Sequence, residues 1–289
     1  YPDLQLVISG SSIIALQDSQ ADLSRRLLSY HLPELSFREY IEMIENIQLP
    51  AYPLEELLQT HGNISDQLKN ALPSPLKMFR DYLTYGAYPF FIEGQEDYLM
   101  RINQLINVII DYDLPEARSI GVATQSKLKL LLYIISTSVP FTPNIAKLAR
   151  KLDTSRSRLL EMLHLLERSQ LIFNLRSAVH GISLMNKPEK IYLHNTSLIA
   201  SLAEGIPDTG NLRETFFLSQ LAGAGYTVTY PKSTDFRVSI QNKSYLFEVG
   251  GRNKSAKQIE GLDSAYLVLD GLEYGRGNRI PLWLFGFLY

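Results

Sequence analysis

The stretch DFRVSIQNKSYLFEVGGRNK, residues 235–254, decides the fold class of this chain. Its apolar segments, bounded by polar turn residues, predict strands at Asp235–Ile240 and Tyr245–Val249. A helix around Lys254–Gly261 and a strand at Ala265–Leu269 are expected next. Strands that mix with helices in this way predict an α/β unit.

Three carboxylates of this unit are candidates for a metal-dependent active site. Asp235 starts one strand, Glu248 lies in the next, and Glu214 lies on a preceding helix predicted over Asn211–Ala222. Carboxylates that converge repel each other by roughly 4 kcal/mol per pair at about 4 Å and an effective dielectric near 20, a cost that a cation removes. Oxygen ligands favour Mg²⁺ or Mn²⁺, which can activate water for phosphodiester hydrolysis. We expect Asp235 and Glu248 to be the metal ligands.

Residues 235–254 resemble the tail domain fused to some bacterial and archaeal AAA+ ATPases, which has a PD-(D/E)xK nuclease-like fold. The resemblance implies a lysine two residues after the glutamate, but this sequence has Gly250 there. Lys254 or Arg252 would then have to reach in from the following turn. The alternative is a non-cutting domain in which Asp235 and Glu248 are solvated or paired with Arg237 and Arg252.

The region before this unit predicts three helices followed by two strands, as in a winged helix. The predicted helices are Ser126–Ser136, Asn144–Leu152 and one from Thr154 or Ser155 to Ser169; Thr142-Pro143 is expected to begin the second. The predicted strands are Leu171–Arg176 and Lys190–His194, and a final strand is expected at Leu282–Leu288.

Five cations lie close together on the second and third of these helices: Lys147, Arg150, Lys151, Arg156 and Arg158. A recognition helix places its N-terminal residues against DNA, so these cations are candidates for DNA contact. Winged helices also serve as protein contacts or spacers, and that alternative stays open. The third helix carries an apolar stripe that indicates core: Leu159, Leu160, Leu163 and Leu166.

Helical periodicity runs from Pro50 to Glu116, with breaks at Pro73-Ser74-Pro75, Gly86, Pro89 and Gly94. Before it, Ser36 and Glu39 form a predicted capping box at the start of a helix that reaches about Asn46.

The N-terminal runs LVISGSS and ADLSRRLLSYHLPELSFREYIEM resemble the second half of the AAA+ nucleotide-binding core. Strands are predicted at Leu4–Ser9 and Ser29–Leu35, with a helix at Ala21–Leu28 between them. The resemblance implies that Ser11 or Ser12 contacts the γ-phosphate or the attacking water. It also implies that Arg25 or Arg26 reaches a neighbouring subunit's nucleotide, and so self-association.

No GxxxxGK[ST] stretch occurs in the sequence, so ATP and Mg²⁺ are expected as cofactors of a complete protein and not of this chain alone. The start at Tyr1 rather than Met also predicts an incomplete sequence. The chain has no cysteine and no apolar run of roughly 20 residues, which favours a cytoplasmic protein without a membrane segment. Its net charge of −2 requires any DNA contact to be a local patch.

These features predict an α/β multidomain chain in four parts: a remnant of the AAA+ core (1–40), a helical lid (41–120), a winged helix (121–205) and a restriction-endonuclease-like domain (206–289). The leading hypothesis is a portion of a DNA-associated AAA+ ATPase. The rivals are a metal-dependent DNA nuclease and a non-catalytic protein-interaction module.

Overall fold

The computed structural model of the protein describes residues 30–137, 142–178 and 187–289, together with Val7 and Leu28. These residues form ten α-helices and two β-sheets, which confirms the mixed α/β class. Four predicted site residues lie outside the described part of the chain: Ser11, Ser12, Arg25 and Arg26. Apart from Val7 and Leu28, the strand predicted at Leu4–Ser9 and the helix predicted at Ala21–Leu28 lie outside it as well.

Helix α1 (Phe37–Glu45) begins and ends where the sequence predicts. The Ser36 hydroxyl accepts from the backbone N–H of Glu39 at 3.2 Å, and the Glu39 carboxylate accepts from the backbone N–H of Ser36 at 2.8 Å. Asn46 ends the helix in the left-handed region with φ of 51°. The strand predicted just before it is wrong in its described part, because residues 30–35 form no strand and the Leu35 N–H donates to the Ala87 carbonyl instead.

The following region is helical, as predicted, up to residue 118. Its elements are α2 (Leu54–Ala71), α3 (Pro75–Tyr85), a 3₁₀ turn (Pro89–Glu93), α4 (Tyr98–Val108), a π-helical turn (Ile109–Asp113) and α5 (Leu114–Arg118). Proline and glycine separate them because proline lacks the N–H that continues a helix and Gly94 adopts φ of 135°, which favours glycine.

Three helices and a hairpin come next: α6 (Val122–Ser136), α7 (Ile145–Lys151), α8 (Arg156–Arg168), β1 (Ile172–Leu175) and β2 (Lys190–Leu193). The two strands pair antiparallel. Thr142 is wrong as the cap of α7, because the Asn144 side chain accepts from the Lys147 N–H at 3.0 Å. Ser155 caps α8 in the same way, and the leucine stripe of α8 is buried at Leu159, Leu163 and Leu166.

After α9 (Thr196–Leu202) and α10 (Thr209–Gly223), the C-terminal part is built on a five-stranded sheet. Its strands follow one another in chain order: β3 (Val228–Thr229), β4 (Phe236–Ile240), β5 (Lys243–Gly251), β6 (Ala265–Asp270) and β7 (Arg279–Pro281). The β3–β4 and β4–β5 pairs are antiparallel, and the β5–β6 and β6–β7 pairs are parallel.

Two elements of the C-terminal part differ from the sequence-based expectation. The helix expected around Lys254–Gly261 is a 3₁₀ turn of three residues, Ala256–Gln258. The strand expected over Leu282–Leu288 is a 3₁₀ helix, Leu282–Phe287, in which every residue is buried. The run at Leu282–Leu288 has no polar positions and therefore no hydrophobic period. Periodicity alone could not distinguish a strand from a 3₁₀ helix there.

The hydrophobic core passes through the helical region and the sheet without interruption. The Phe217 ring of α10 packs against Phe236, Phe247 and Phe285. The Phe37 ring of α1 packs edge-on against Phe287. The division into four parts, with its three boundaries, stays a prediction of the sequence.

Candidate active site

The three candidate carboxylates lie within one group of ionisable side chains, which we call the carboxylate cluster. Its members are Glu214 of α10, Asp235 just before β4, Glu248 of β5, Lys254 from the turn after β5, and Lys190 and Tyr192 of β2.

Asp235 and Glu248 are neighbours because their strands pair. Antiparallel register places Phe236 opposite Phe247, which brings the residues beside them together. The Asp235 carboxylate accepts from the backbone N–H of Val249 at 3.1 Å. Glu248 is only 1% exposed, and its Oε2 atom has no hydrogen-bond partner among the described residues. Burial, followed by the charge of Asp235, raises the pKa of Glu248.

Lys254 is the cation of this half of the cluster. Its amine contacts Glu248 Oε1, lies 2.7 Å from the Val249 carbonyl and lies 3.6 Å from Asp235 Oδ2. Of the two residues that could reach in after the turn, Lys254 does so, while Arg252 is exposed.

Gly250 explains how a lysine four residues downstream reaches this position. A Cβ atom on Gly250 would lie 2.1 Å from Lys254 Cδ and 2.9 Å from Lys254 Cβ. The lysine stem therefore fills the volume that a side chain at position 250 would need. The Lys254 stem thus lies where the resemblance to the nuclease-like pattern implies a lysine side chain, at position 250.

Glu214 meets Asp235 through a second lysine that the sequence analysis missed. The Lys190 amine lies 3.3 Å from Glu214 Oε2 and 3.0 Å from Asp235 Oδ1. The Tyr192 hydroxyl donates to Glu214 Oε2 at 2.6 Å. The available signal was local: Lys190 and Tyr192 alternate on a strand predicted to be in the wing, and so share one face.

Charge and burial act in opposite directions on this half. Burial, and then the neighbouring charge of Asp235, raise the pKa of Glu214. Burial alone would lower the pKa of Lys190, but Glu214 and Asp235 outweigh it and hold that pKa above its usual value of 10.5. Among the described residues, the cations that contact Asp235 and Glu248 are thus Lys190 and Lys254, not Arg237 and Arg252.

The expectation that three carboxylates converge on one point is wrong. No group of three or more His, Cys, Asp or Glu residues is placed to hold a metal in the described part of the chain. The carboxylates form two pairs that share Asp235, each bridged by a lysine amine. Around the Lys254 amine, however, all the contacting atoms are oxygens: Asp235 Oδ2, Glu248 Oε1 and the Val249 carbonyl. These hard ligands, with the unpartnered Glu248 Oε2, fit a Mg²⁺ or Mn²⁺ ion.

The five cations predicted to contact DNA are all exposed on α7 and α8: Lys147, Arg150, Lys151, Arg156 and Arg158. The Arg158 guanidinium pairs with Glu161 at 2.9 Å on the helix surface. Their role in DNA contact stays a prediction. Among the helices of the described residues, none is long and apolar enough to cross a membrane.

The chain is similar to two groups of known sequences. Residues 76–209 match a family model described as a domain of unknown function, DUF8612. The chain is also 27% identical over 274 residues to uncharacterized protein MJ1637 of Methanocaldococcus jannaschii, an alignment that covers 88% of this chain and 57% of that protein. The family match includes Lys190 and Tyr192 and ends before the three carboxylates. No solved structure matches the chain.

Proposed function

We propose that the carboxylate cluster is the catalytic centre of a metal-dependent nuclease that hydrolyses phosphodiester bonds in DNA. The observation that carries this proposal is the position of Lys254. Its stem replaces the side chain missing at Gly250, and its amine meets both proposed metal ligands, Asp235 and Glu248. The lysine stem can lie there only because position 250 has no side chain, and this close fit beside the buried Glu248 supports a role for Lys254.

The proposed chemistry assigns a role to each residue. Asp235, Glu248 and the Val249 carbonyl would hold a divalent cation, which when bound supplies a water molecule of lowered pKa. Lys254 would leave these oxygens and donate hydrogen bonds to the attacking water and to the phosphate oxygens. A fixed ammonium next to developing negative charge stabilises the transition state. Burial of Glu248 keeps bulk water away from the ligand oxygens.

The exposed cations of α7 and α8 would hold the DNA. Lysine and arginine that neutralise phosphates provide most of the affinity for DNA without reading its sequence. This part of the proposal is supported by the exposure of Lys147, Arg150, Lys151, Arg156 and Arg158.

A cleavage assay on the full chain tests the proposal. Duplex, single-stranded and branched DNA are incubated with Mn²⁺ or Mg²⁺ and the wild-type protein, Asp235→Asn or Glu248→Gln. Each variant is expected to lose cleavage by about 100-fold or more, because loss of an outer-shell partner of a metal ligand already costs about 10–100-fold and these residues are the proposed ligands themselves. Glu273→Gln, which removes a surface ion pair with Lys69, is the matched control and should cut normally.

The same assay also decides on a non-catalytic alternative. Lys190 and Lys254 already pair with the three carboxylates, which favours a docking module whose cluster is only structural. Absence of cutting on every substrate, or equal cutting by all four proteins, overturns the nuclease proposal in favour of that module.

For a longer protein, a DNA-associated AAA+ ATPase stays a separate proposal, since the chain spans 57% of the relative's length. It depends on Ser11, Ser12, Arg25 and Arg26, which lie outside the described residues.

A further inference from the structure

The hairpin strand β2 inserts two polar side chains into a site that otherwise belongs to the C-terminal sheet and α10. Lys190 is 9% exposed as a residue, although lysine is almost never fully buried unless it is paired. Its amine contacts Glu214 and Asp235, and it lies 5.6 Å from the centre of the Tyr230 ring. Tyr192, two residues on, bonds the same Glu214 oxygen.

The two oxygens of Asp235 divide the carboxylate cluster into two halves. Oδ1 faces Lys190 and, beyond it, Glu214. Oδ2 faces the Val249 N–H and Lys254 and, beyond them, Glu248. Each half thus contains two carboxylates and one ammonium group, with Asp235 shared between the halves. A divalent cation in place of the ammonium group would also offset the negative charge of the two carboxylates.

The two lysines are held very differently. Lys254 lies on a turn after two glycines, its side chain is 27% exposed, and the Glu248 oxygen beside it has no partner in the described structure. Since its side chain is the more exposed of the two, Lys254 is the lysine that would move aside for a metal. Lys190 lies on a strand, its side chain is 11% exposed, and Tyr192 and Tyr230 flank it. Its amine is held by both carboxylates of its half, Glu214 and Asp235.

We infer that Lys190 is a fixed internal cation that occupies the Glu214–Asp235 half of the cluster, so that the site accepts one divalent cation, at the Asp235–Glu248 half. Lys190 is then a positioning residue, which orients Asp235 Oδ1 and leaves Oδ2 for the metal. The inference deepens the proposed nuclease function and rests on it for its catalytic meaning. Its central claim, that an amine fills one of two cation sites, is testable without any cleavage.

The test counts Mn²⁺ ions bound per full-length chain, by calorimetry and by the electron paramagnetic resonance signal of free Mn²⁺. Wild type is expected to bind one ion. Lys190→Met keeps most of the side-chain stem and removes the charge, and it is expected to bind a second ion. Adding Glu214→Gln to Lys190→Met should return the count to one. Lys69→Met removes a surface lysine and is the matched control, expected to bind one.

A variant that keeps Lys190 guards against misfolding of Lys190→Met. Glu214→Gln alone should still bind one ion, since Glu214 is not a ligand of the Asp235–Glu248 half. Circular dichroism checks whether Lys190→Met folds. Loss of the ion from Glu214→Gln overturns the inference in either case.

The outcomes separate this inference from the nuclease proposal. Two ions on the wild type, or no gain on folded Lys190→Met, overturn the inference and leave cleavage to be judged by its own assay. No ion on the wild type and one on Lys190→Met overturns both the inference, which places one ion at the Asp235–Glu248 half of the wild type, and the metal-dependent nuclease. No binding to either protein overturns both.

Discussion

Replacing Lys254 with methionine removes the charge that the structure places against Glu248 while it keeps the stem that fills the space above Gly250. Glu248 then has an unpartnered carboxylate that is 1% exposed. Breaking a buried ion pair by removing one partner typically costs about 3–5 kcal/mol. We expect a smaller loss here, because Glu248 can take up a proton instead of remaining charged.

Protonation limits the cost in a calculable way. Each pKa unit corresponds to 1.36 kcal/mol, so keeping a carboxyl group protonated at about pH 7 costs roughly 3 kcal/mol from its ordinary pKa. The wild-type protein already bears part of this cost, because burial and Asp235 raise the pKa of Glu248 above its usual value of 4.5. Lys254→Met should therefore lower the free energy of unfolding by less than this cost, at most roughly 3 kcal/mol at about pH 7.

The sign of the pH dependence follows from the raised pKa. A carboxyl group with a raised pKa in the folded state destabilises the fold progressively as pH rises from its unfolded pKa through its folded pKa. Lys254→Met raises the folded pKa further, so the difference from wild type should grow with pH. As pH falls toward about 4, below the unfolded pKa, a growing share of Glu248 is protonated in both proteins, so the difference should shrink.

Urea unfolding followed by tryptophan fluorescence measures this difference where it arises. Trp283 is the chain's one tryptophan and is buried in the C-terminal part. Lys257→Met, on the exposed 3₁₀ turn nearby, is the matched control and should unfold like wild type at both pH values. An equal loss at acidic and neutral pH would refute the reasoning, because it would indicate lost packing and not an uncompensated charge.

A lysine exchange provides a sharper check. The double variant Gly250→Lys, Lys254→Gly moves the amine to the position whose Cβ overlaps the present lysine stem. Gly250 does not have a positive φ, so a lysine can adopt its backbone conformation. Lys254→Gly alone should lose stability at neutral pH, and the exchange should restore most of it.

Two further predictions concern other parts of the molecule. The double variant Arg156→Ala, Arg158→Ala should weaken DNA binding and lower the slope of log affinity against log salt by up to about 2, since each phosphate contact contributes about 0.9. Fluorescence anisotropy at several salt concentrations measures this slope. An unchanged slope would argue for a protein-binding role. Burial alone would raise the pKa of Glu34, but His194 and Asn195 outweigh burial and hold this pKa below 4.5. Glu34→Gln should therefore lower the free energy of unfolding by about 1.5–3 kcal/mol at neutral pH, and by less as pH falls through the folded pKa. Thermal unfolding measured from neutral pH down through the folded pKa checks the Glu34 prediction. A difference from wild type that stays constant with pH would contradict it.

Local chemistry was readable from the sequence wherever neighbours along the chain decide the structure. The Ser36–Glu39 capping box places the start of α1 because both hydrogen bonds join residues three apart. The stripe on α8 is buried because its leucines recur at helical spacing. At α7 the sequence predicted Thr142 as the cap, and only the folded backbone shows that Asn144 accepts the capping hydrogen bond.

The sequence by itself determined the mixed α/β class, the strand that follows Asp235 and the strand that contains Glu248, and the residue types from which a cation site can be built. Only the tertiary structure decided that Lys254 and not Arg252 enters the site, because that depends on the space above Gly250. It also brought Lys190 and Tyr192 to carboxylates more than twenty residues away. Side chains that meet across the fold leave no periodic or short-range pattern, since their proximity comes from the packing of the hairpin against α10 and the sheet.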